Sequence, residues 1–137
     1  MNELIEQLHA GAYACVIAGV AETRTFTGRG VSDLYRLLTQ EPEFLRGALV
    51  ADKVVGKGAA ALMVLGGIAE VYTDLISTSA FELLRRYGPN VKVSYAKEVP
   101  FIWNRTRTGG CPVETLCGDV ERPEEMLPLI ARFLEGK

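Results

Sequence analysis

Between Val50 and Gly67 the chain reads VADKVVGKGAAALMVLGG, and after its first residues almost no polar side chain remains. The spacing predicts one continuous helix. A helix that is apolar on every side has no face to give to water and must be buried, so the remaining elements are expected to wrap around this one. Asp52, Lys53 and Lys57 crowd its beginning, which therefore looks onto solvent or a cleft. Gly58, Ala59, Ala60 and Ala61 let neighbouring backbone come close. The polar beginning is where a site is expected.

A chain of 137 residues suits one domain, spanning 1–137, long enough to bury roughly two-thirds of its unfolded surface. Apolar residues make up 48%, charged residues 23%, and the net charge is −2. No basic field of the kind that duplex nucleic acid attracts is present, so no duplex nucleic-acid partner is expected. Met1 to Ala10 mixes acids with its apolar positions and reads as a structured first helix, not an export signal. The longest apolar run, Ala59 to Ala69, is far too short for a membrane span. Cys15, Cys111 and Cys117 are odd in number and lack CxxC spacing, which points to thiols in a reducing, cytoplasmic setting.

In chain order, Leu4, Ile5 and Leu8 form a stripe on a first helix, about Asn2 to His9, stopped by Gly11. Tyr13 to Ala18 is an unbroken apolar run and Glu22 to Thr27 alternates; with Gly19, Val20 and Ala21 between them they predict an antiparallel hairpin. Ser32 is expected to cap a helix through about Thr39, burying Val31, Leu34, Leu37 and Leu38, with Pro42 ending the run. Leu45 to Val50 then leads into the central helix, which Gly66 and Gly67 terminate. Ile68 to Thr73 reads as a strand. Ser79 and Glu82 have capping-box spacing for a further helix closed by Gly88 and Pro89. Val91 to Val99 alternates as a partly exposed strand. Strand, helix, strand, helix, strand in succession implies parallel neighbours, hence a mixed sheet with helices on both faces. After the irregular FIWNRTRTGG segment, Cys111, Pro112 and Glu114 have the pattern of a helix start. A last helix, about Pro123 to Leu134, buries Met126, Leu127, Ile130 and Leu134 and carries Pro128 inside it.

Three groups of residues carry chemistry. The segment from Ala51 to Gly58 tempts comparison with a phosphate-cradling P-loop, but that loop needs a glycine where Ala51 stands and a hydroxyl where Gly58 stands. What survives is a pair of lysines, Lys53 and Lys57, one turn apart near a helix terminus whose own dipole is positive. Either Asp52 caps the helix and the lysines are solvated, or the pair answers a bound anion. Cys111, at a helix start, has the placement that stabilises a thiolate, although the single histidine, His9, leaves no obvious Cys–His pair. Asn104, Arg105 and Arg107 either clamp a carboxylate or phosphate or form a solvated loop. Cys15 and Cys117 read as packing residues.

The run ADKVVGKGAAALMVLGG, then Ile76-Ser77, then Val99, Pro100, Ile102, Asn104 and Arg105, then CPVE at Cys111 to Glu114, together resemble an uncharacterised prokaryotic domain-of-unknown-function family grouped with cytidine deaminase-like folds. The resemblance implies an α/β architecture, a three-layer α/β/α sandwich with a mixed sheet. Zinc deaminases hold their metal with an H-x-E pattern on one core helix and P-C-x-x-C on the next. The corresponding starts here, Gly56 to Ala59 and Ser77 to Ala80, offer no such ligand, so neither a metal nor another cofactor is expected. The implied function is a deaminase-like domain without a zinc site that binds a small anionic or nucleotide-like ligand. Asp52, Lys53, Lys57, Ser77, Asn104, Arg105 and Glu114 are the candidate contacts. Two alternatives stand beside it. One is a thiol enzyme in which Cys111 attacks, Lys57 or Arg105 stabilises the anion and Asp52 orients the lysine. The other is an interaction module that forms a homodimer through the Val91 to Val99 strand or the Trp103 loop.

Overall fold

The long apolar run is split in two. In the computed structural model, which describes residues 1–11, 13–27, 30–100, 117 and 120–136, Leu49–Val55 is a strand and only Lys57–Gly66 is helical. Val50, Val54 and Val55 are β-branched and lose rotamer freedom in a helix, and a mid-helix Gly56 would cost roughly 1 kcal/mol relative to alanine. Strands on both sides offer this segment backbone partners instead, and Gly56, extended at φ −100° and ψ −178°, separates strand from helix. Asp52 and Lys53 therefore sit on a strand. Asp52 caps no helix, and Lys53 and Lys57 share no helix face.

The elements in order are α1 (Asn2–Ala10), β1 (Cys15–Ala18), β2 (Thr23–Phe26), α2 (Gly30–Gln40), α3 (Pro42–Leu45), β3 (Leu49–Val55), α4 (Lys57–Gly66), β4 (Glu70–Ser77), α5 (Thr78–Tyr87), β5 (Lys92–Val99) and α6 (Pro123–Gly136). The five strands form one sheet in the order β2-β1-β3-β4-β5. β1 is antiparallel to both β2 and β3, while β3, β4 and β5 run parallel. The sheet is mixed, as the alternation of strands and helices implies, and the first two strands are the expected hairpin.

Helices cover both faces. On one, Leu4 and Leu8 of α1 pack with Val16 and Ala51, and His9 Nε2 lies 2.8 and 2.9 Å from the two carboxylate oxygens of Asp74, which also accepts from Tyr72 Oη at 2.7 Å. The other face carries the main core, drawn from α2, α4, α5 and α6 through Leu34, Leu37, Leu62, Met63, Leu84, Met126 and Ile130. α4 lies at its centre, touching α2, α5 and α6, with Gly58 to Met63 and Gly66 all buried. The helix apolar on every side is thus buried as expected, but it is shorter than the apolar run. Val50 and Val55 both belong to this core although they are an odd number of residues apart, so the strict two-residue alternation of a strand breaks between them.

Other boundaries move for local reasons. α2 already begins at Gly30, which places Ser32 inside the helix instead of at its cap. Pro42 ends one run and also opens the short α3 as its first residue. β4 starts at Glu70 and continues past Thr73 to Ser77, because its far half pairs with β3 on one side and β5 on the other. Ser77 in turn caps α5, accepting the Ala80 N–H at 3.1 Å, in place of Ser79. Pro128 lies within α6 on an exposed position, where its ring removes one internal bond without entering the core.

Gly67 ends α4 in the left-handed region, at φ 74° and ψ 37°, with its N–H directed to the carbonyls of Met63 and Val64. A Cβ at this position would meet nothing within 4 Å, so Gly67→Ala isolates the backbone term. The expected loss is about 1–2 kcal/mol, read in urea denaturation as a lower midpoint with an unchanged slope.

Candidate functional site

The site follows from strand pairing. β3 and β4 run parallel and stay in register to their last shared pair, Val55 opposite Ile76. The chain leaves both strands at the same edge of the sheet. The next residue is Gly56, the cap of α4, in one case, and Ser77, the cap of α5, in the other. The two helices pack against each other, so their N-termini open side by side at the carboxyl ends of parallel strands. Open α/β sheets place ligands at that edge, and two sets of helix N–H groups there favour negative charge. Gly56 has no side chain with which to cap α4.

A cavity of about 580 Å³ opens at this edge and runs along α5. Lys57, the first residue of α4, and Ser79, in the first turn of α5, line one end; Arg85, Arg86 and Tyr87 line the other, together with Glu121 ahead of α6. Glu82 and Leu83 lie between. Ser79, Glu82, Leu83 and Arg86 are spaced i, i+3, i+4, i+7 and so form one stripe of α5. Arg85 sits over the Phe81 ring, 5.7 Å from its centroid, and Arg86 Nη1 lies 3.6 Å from Glu121 Oε1.

Of the residues expected in the site, Lys57 is on the cavity wall. Ser77 is not. Its hydroxyl is buried, accepts the Ala80 amide and lies 3.2 Å from Ser79 Oγ. It fixes the helix start, and Ser79 is the serine that faces the cavity. Lys53 is exposed on β3 and is not among the described lining residues. Asn104, Arg105, Arg107, Cys111 and Glu114 lie outside the described residues, as does Trp103. Ser79, Glu82, Arg85, Arg86, Tyr87 and Glu121 were missed by sequence reasoning, although the periodic polar stripe in SAFELLRRY was available to find Ser79, Glu82 and Arg86.

Asp52 belongs to a different place, inside the molecule. Cys15, Asp52 and Thr73 stand directly opposite one another on β1, β3 and β4, and opposite residues of adjacent strands point to the same face. Asp33 of α2 lies close enough to act electrostatically on both Asp52 and Cys15. Asp52 is 3% exposed and Asp33 8%. One oxygen of each is bonded: Asp52 Oδ1 accepts the Val54 amide at 3.4 Å and Asp33 Oδ1 accepts Arg36 Nη1 at 3.1 Å. The other oxygen of each is buried without a hydrogen-bond partner among the described residues. Burial pushes the Asp52 carboxyl up to about 7, against the amides of Val54 and Lys53 and the Cys15 thiol, with Asp33 adding repulsion. Burial also pushes the Cys15 thiol well up, and the two neighbouring carboxylates push it further. Cys15 is consequently a thiol at neutral pH and a poor nucleophile. Among the described residues no group of three or more His, Cys, Asp or Glu is placed to hold a metal ion, and no helix is long and apolar enough to cross a membrane.

The raised Asp52 value has a defined sign. Unfolded, this carboxyl ionises near 3.9; folded, it holds its proton to about 7. Between those values the unfolded state releases the proton first, so the contribution of Asp52 to stability falls as pH rises from about 4 to 7 and levels off above. Thermal melts from pH 4 to 8 are expected to show this decline, and Asp52→Asn to flatten it.

A family model described as a domain of unknown function (DUF1893) matches residues 3–134. The crystal structure of a DUF1893 family protein (TM1506) from Thermotoga maritima superimposes with a TM-score of 0.86, covering 96% of this chain and 88% of that chain at 23% identity. Likeness at that identity speaks to the fold alone. No curated protein matches the chain.

Proposed function

The chain belongs to the DUF1893 family, a domain of unknown function, and we propose that it binds a small anionic ligand in the cavity at the paired helix starts. The observation that carries this reading is the register of β3 with β4, which sets the N-termini of α4 and α5 side by side with Lys57 at the cavity wall. The backbone N–H groups of both first turns supply directed positive charge, Lys57 adds a full charge, and Ser79 adds a hydroxyl. A phosphate or carboxylate is the group such a surface recognises.

A cytidine deaminase-like architecture fits the strand order β2-β1-β3-β4-β5 with an antiparallel first pair and two parallel crossovers, and it favours a nucleotide-like ligand. The zinc of such enzymes does not fit here. A lysine and two serines stand at the helix starts where thiolate or imidazole ligands would be needed, and an ammonium group repels a divalent cation. The function is therefore read as ligand binding with no metal-dependent step. Cys15 is a buried thiol, which agrees with a reducing, cytoplasmic setting.

Calorimetric titration with inorganic phosphate and with AMP tests the reading. Lys57→Ala removes a charge-assisted contact worth about 1.5–3 kcal/mol, so affinity is expected to fall roughly tenfold to hundredfold while the melting temperature changes little. Unchanged affinity in the variant, or no binding by the wild-type protein at millimolar concentration, overturns it.

A further inference from the structure

The cavity has two cationic poles, and the distance between them limits what it can hold. This inference rests on the anion-site reading above. Lys57 and Ser79 form one pole at the helix starts; Arg85 and Arg86 form the other, at the last turn of α5. Seven residues separate Ser79 from Arg86, and at 1.5 Å per residue that is about 10 Å along one helix stripe. A single phosphate reaches one pole only. Glu82 lies between the poles on the same stripe, and a carboxylate there accepts hydrogen bonds from hydroxyls but repels a third anionic group.

We propose that the ligand of this cavity is an extended polyol carrying an anionic group at each end, of the sugar bisphosphate class, with one phosphate at Lys57 and Ser79 and the other at Arg86. The central hydroxyls donate to Glu82, and the carbon skeleton lies over Leu83. Arg86 is the arginine suited to the second phosphate, since Arg85 is engaged over the Phe81 ring. At present Arg86 faces Glu121 across 3.6 Å, with the two side chains 66% and 75% exposed. An ion pair that long and that exposed contributes little. A phosphate offering bidentate bonds to the guanidinium displaces Glu121 readily.

The test compares inorganic phosphate, fructose 6-phosphate and fructose 1,6-bisphosphate by calorimetric titration of the wild-type chain and two variants. The bisphosphate is expected to bind at least tenfold more tightly than the monophosphate. Arg86→Ala is expected to erase that margin, weakening the bisphosphate at least tenfold more than phosphate or the monophosphate, and Glu121→Gln to widen it. Both substitutions fall on exposed side chains, and a thermal melt of each confirms the fold. Equal affinity for monophosphate and bisphosphate overturns the inference, as does an Arg86→Ala variant that weakens all three ligands alike. If phosphate binds and the bisphosphate has no advantage, the two-pole ligand fails and the anion site stands. If none of the three binds, the anion site itself fails, and this inference with it.

Discussion

The parallel pairing of β3 with β4 is the constraint from which the rest of the molecule follows. Because the two strands remain in register up to Val55 and Ile76, the chain must turn into α4 and into α5 at the same edge of the sheet. Each helix then returns across the same face, and the small side chains of α4 from Gly58 to Ala61 let them lie close. A slip of one residue would turn every side chain of the strand over, moving Val55 and Ile76 out of the core. Apolar burial on the helix side therefore fixes the register, and the register fixes where the first turns of two helices come out together.

That arrangement carries a cost inside the sheet. Asp52 lies three residues ahead of the strand's end, opposite Cys15 and Thr73 and near Asp33, and it keeps one carboxylate oxygen without a partner among the described residues. A buried, half-satisfied carboxyl is destabilising when charged, and holding its proton to about 7 is the response of the group to that surrounding. The side chain offsets part of the cost by accepting the Val54 amide, just as Thr73 Oγ1 bonds to the Leu75 carbonyl on the neighbouring strand at 2.9 Å. These two local bonds stand side by side where the alternation of β3 breaks. Across that break Val50 and Val55 serve the same core.

The cavity and the buried carboxyls use acidic and basic groups in opposite ways. Along α5 the charged groups stay solvated, and their spacing on one helix stripe governs what they can touch together. Beneath α2 the carboxyls are withdrawn from water, and for Asp52 burial governs the charge through protonation. Only the first of these faces solvent.

Local pattern was enough for much of the fold. The stripe of Leu4 and Leu8, the hairpin around Gly19 to Ala21, the strand at Val91 to Val99 and the last helix are each written in the spacing of neighbouring apolar residues and turn formers. The parallel pairing of β4 with β5 was legible too, since a strand, a helix and a strand in succession admit few arrangements. What the sequence could not divide was VADKVVGKGAA. A short apolar run satisfies a buried helix and a buried central strand equally, and only backbone partners on β1 and β4, contributed from distant parts of the chain, decide between them. The same dependence on distant partners hid the neighbourhood of Asp52, where Cys15, Asp33 and Thr73 converge across the sheet. It also made Ser77 the cap and left Ser79 to the cavity. Sequence alone determined which residues must leave water; the tertiary structure decided which of them would meet, because pairing between strands joins residues that periodicity along the chain never compares.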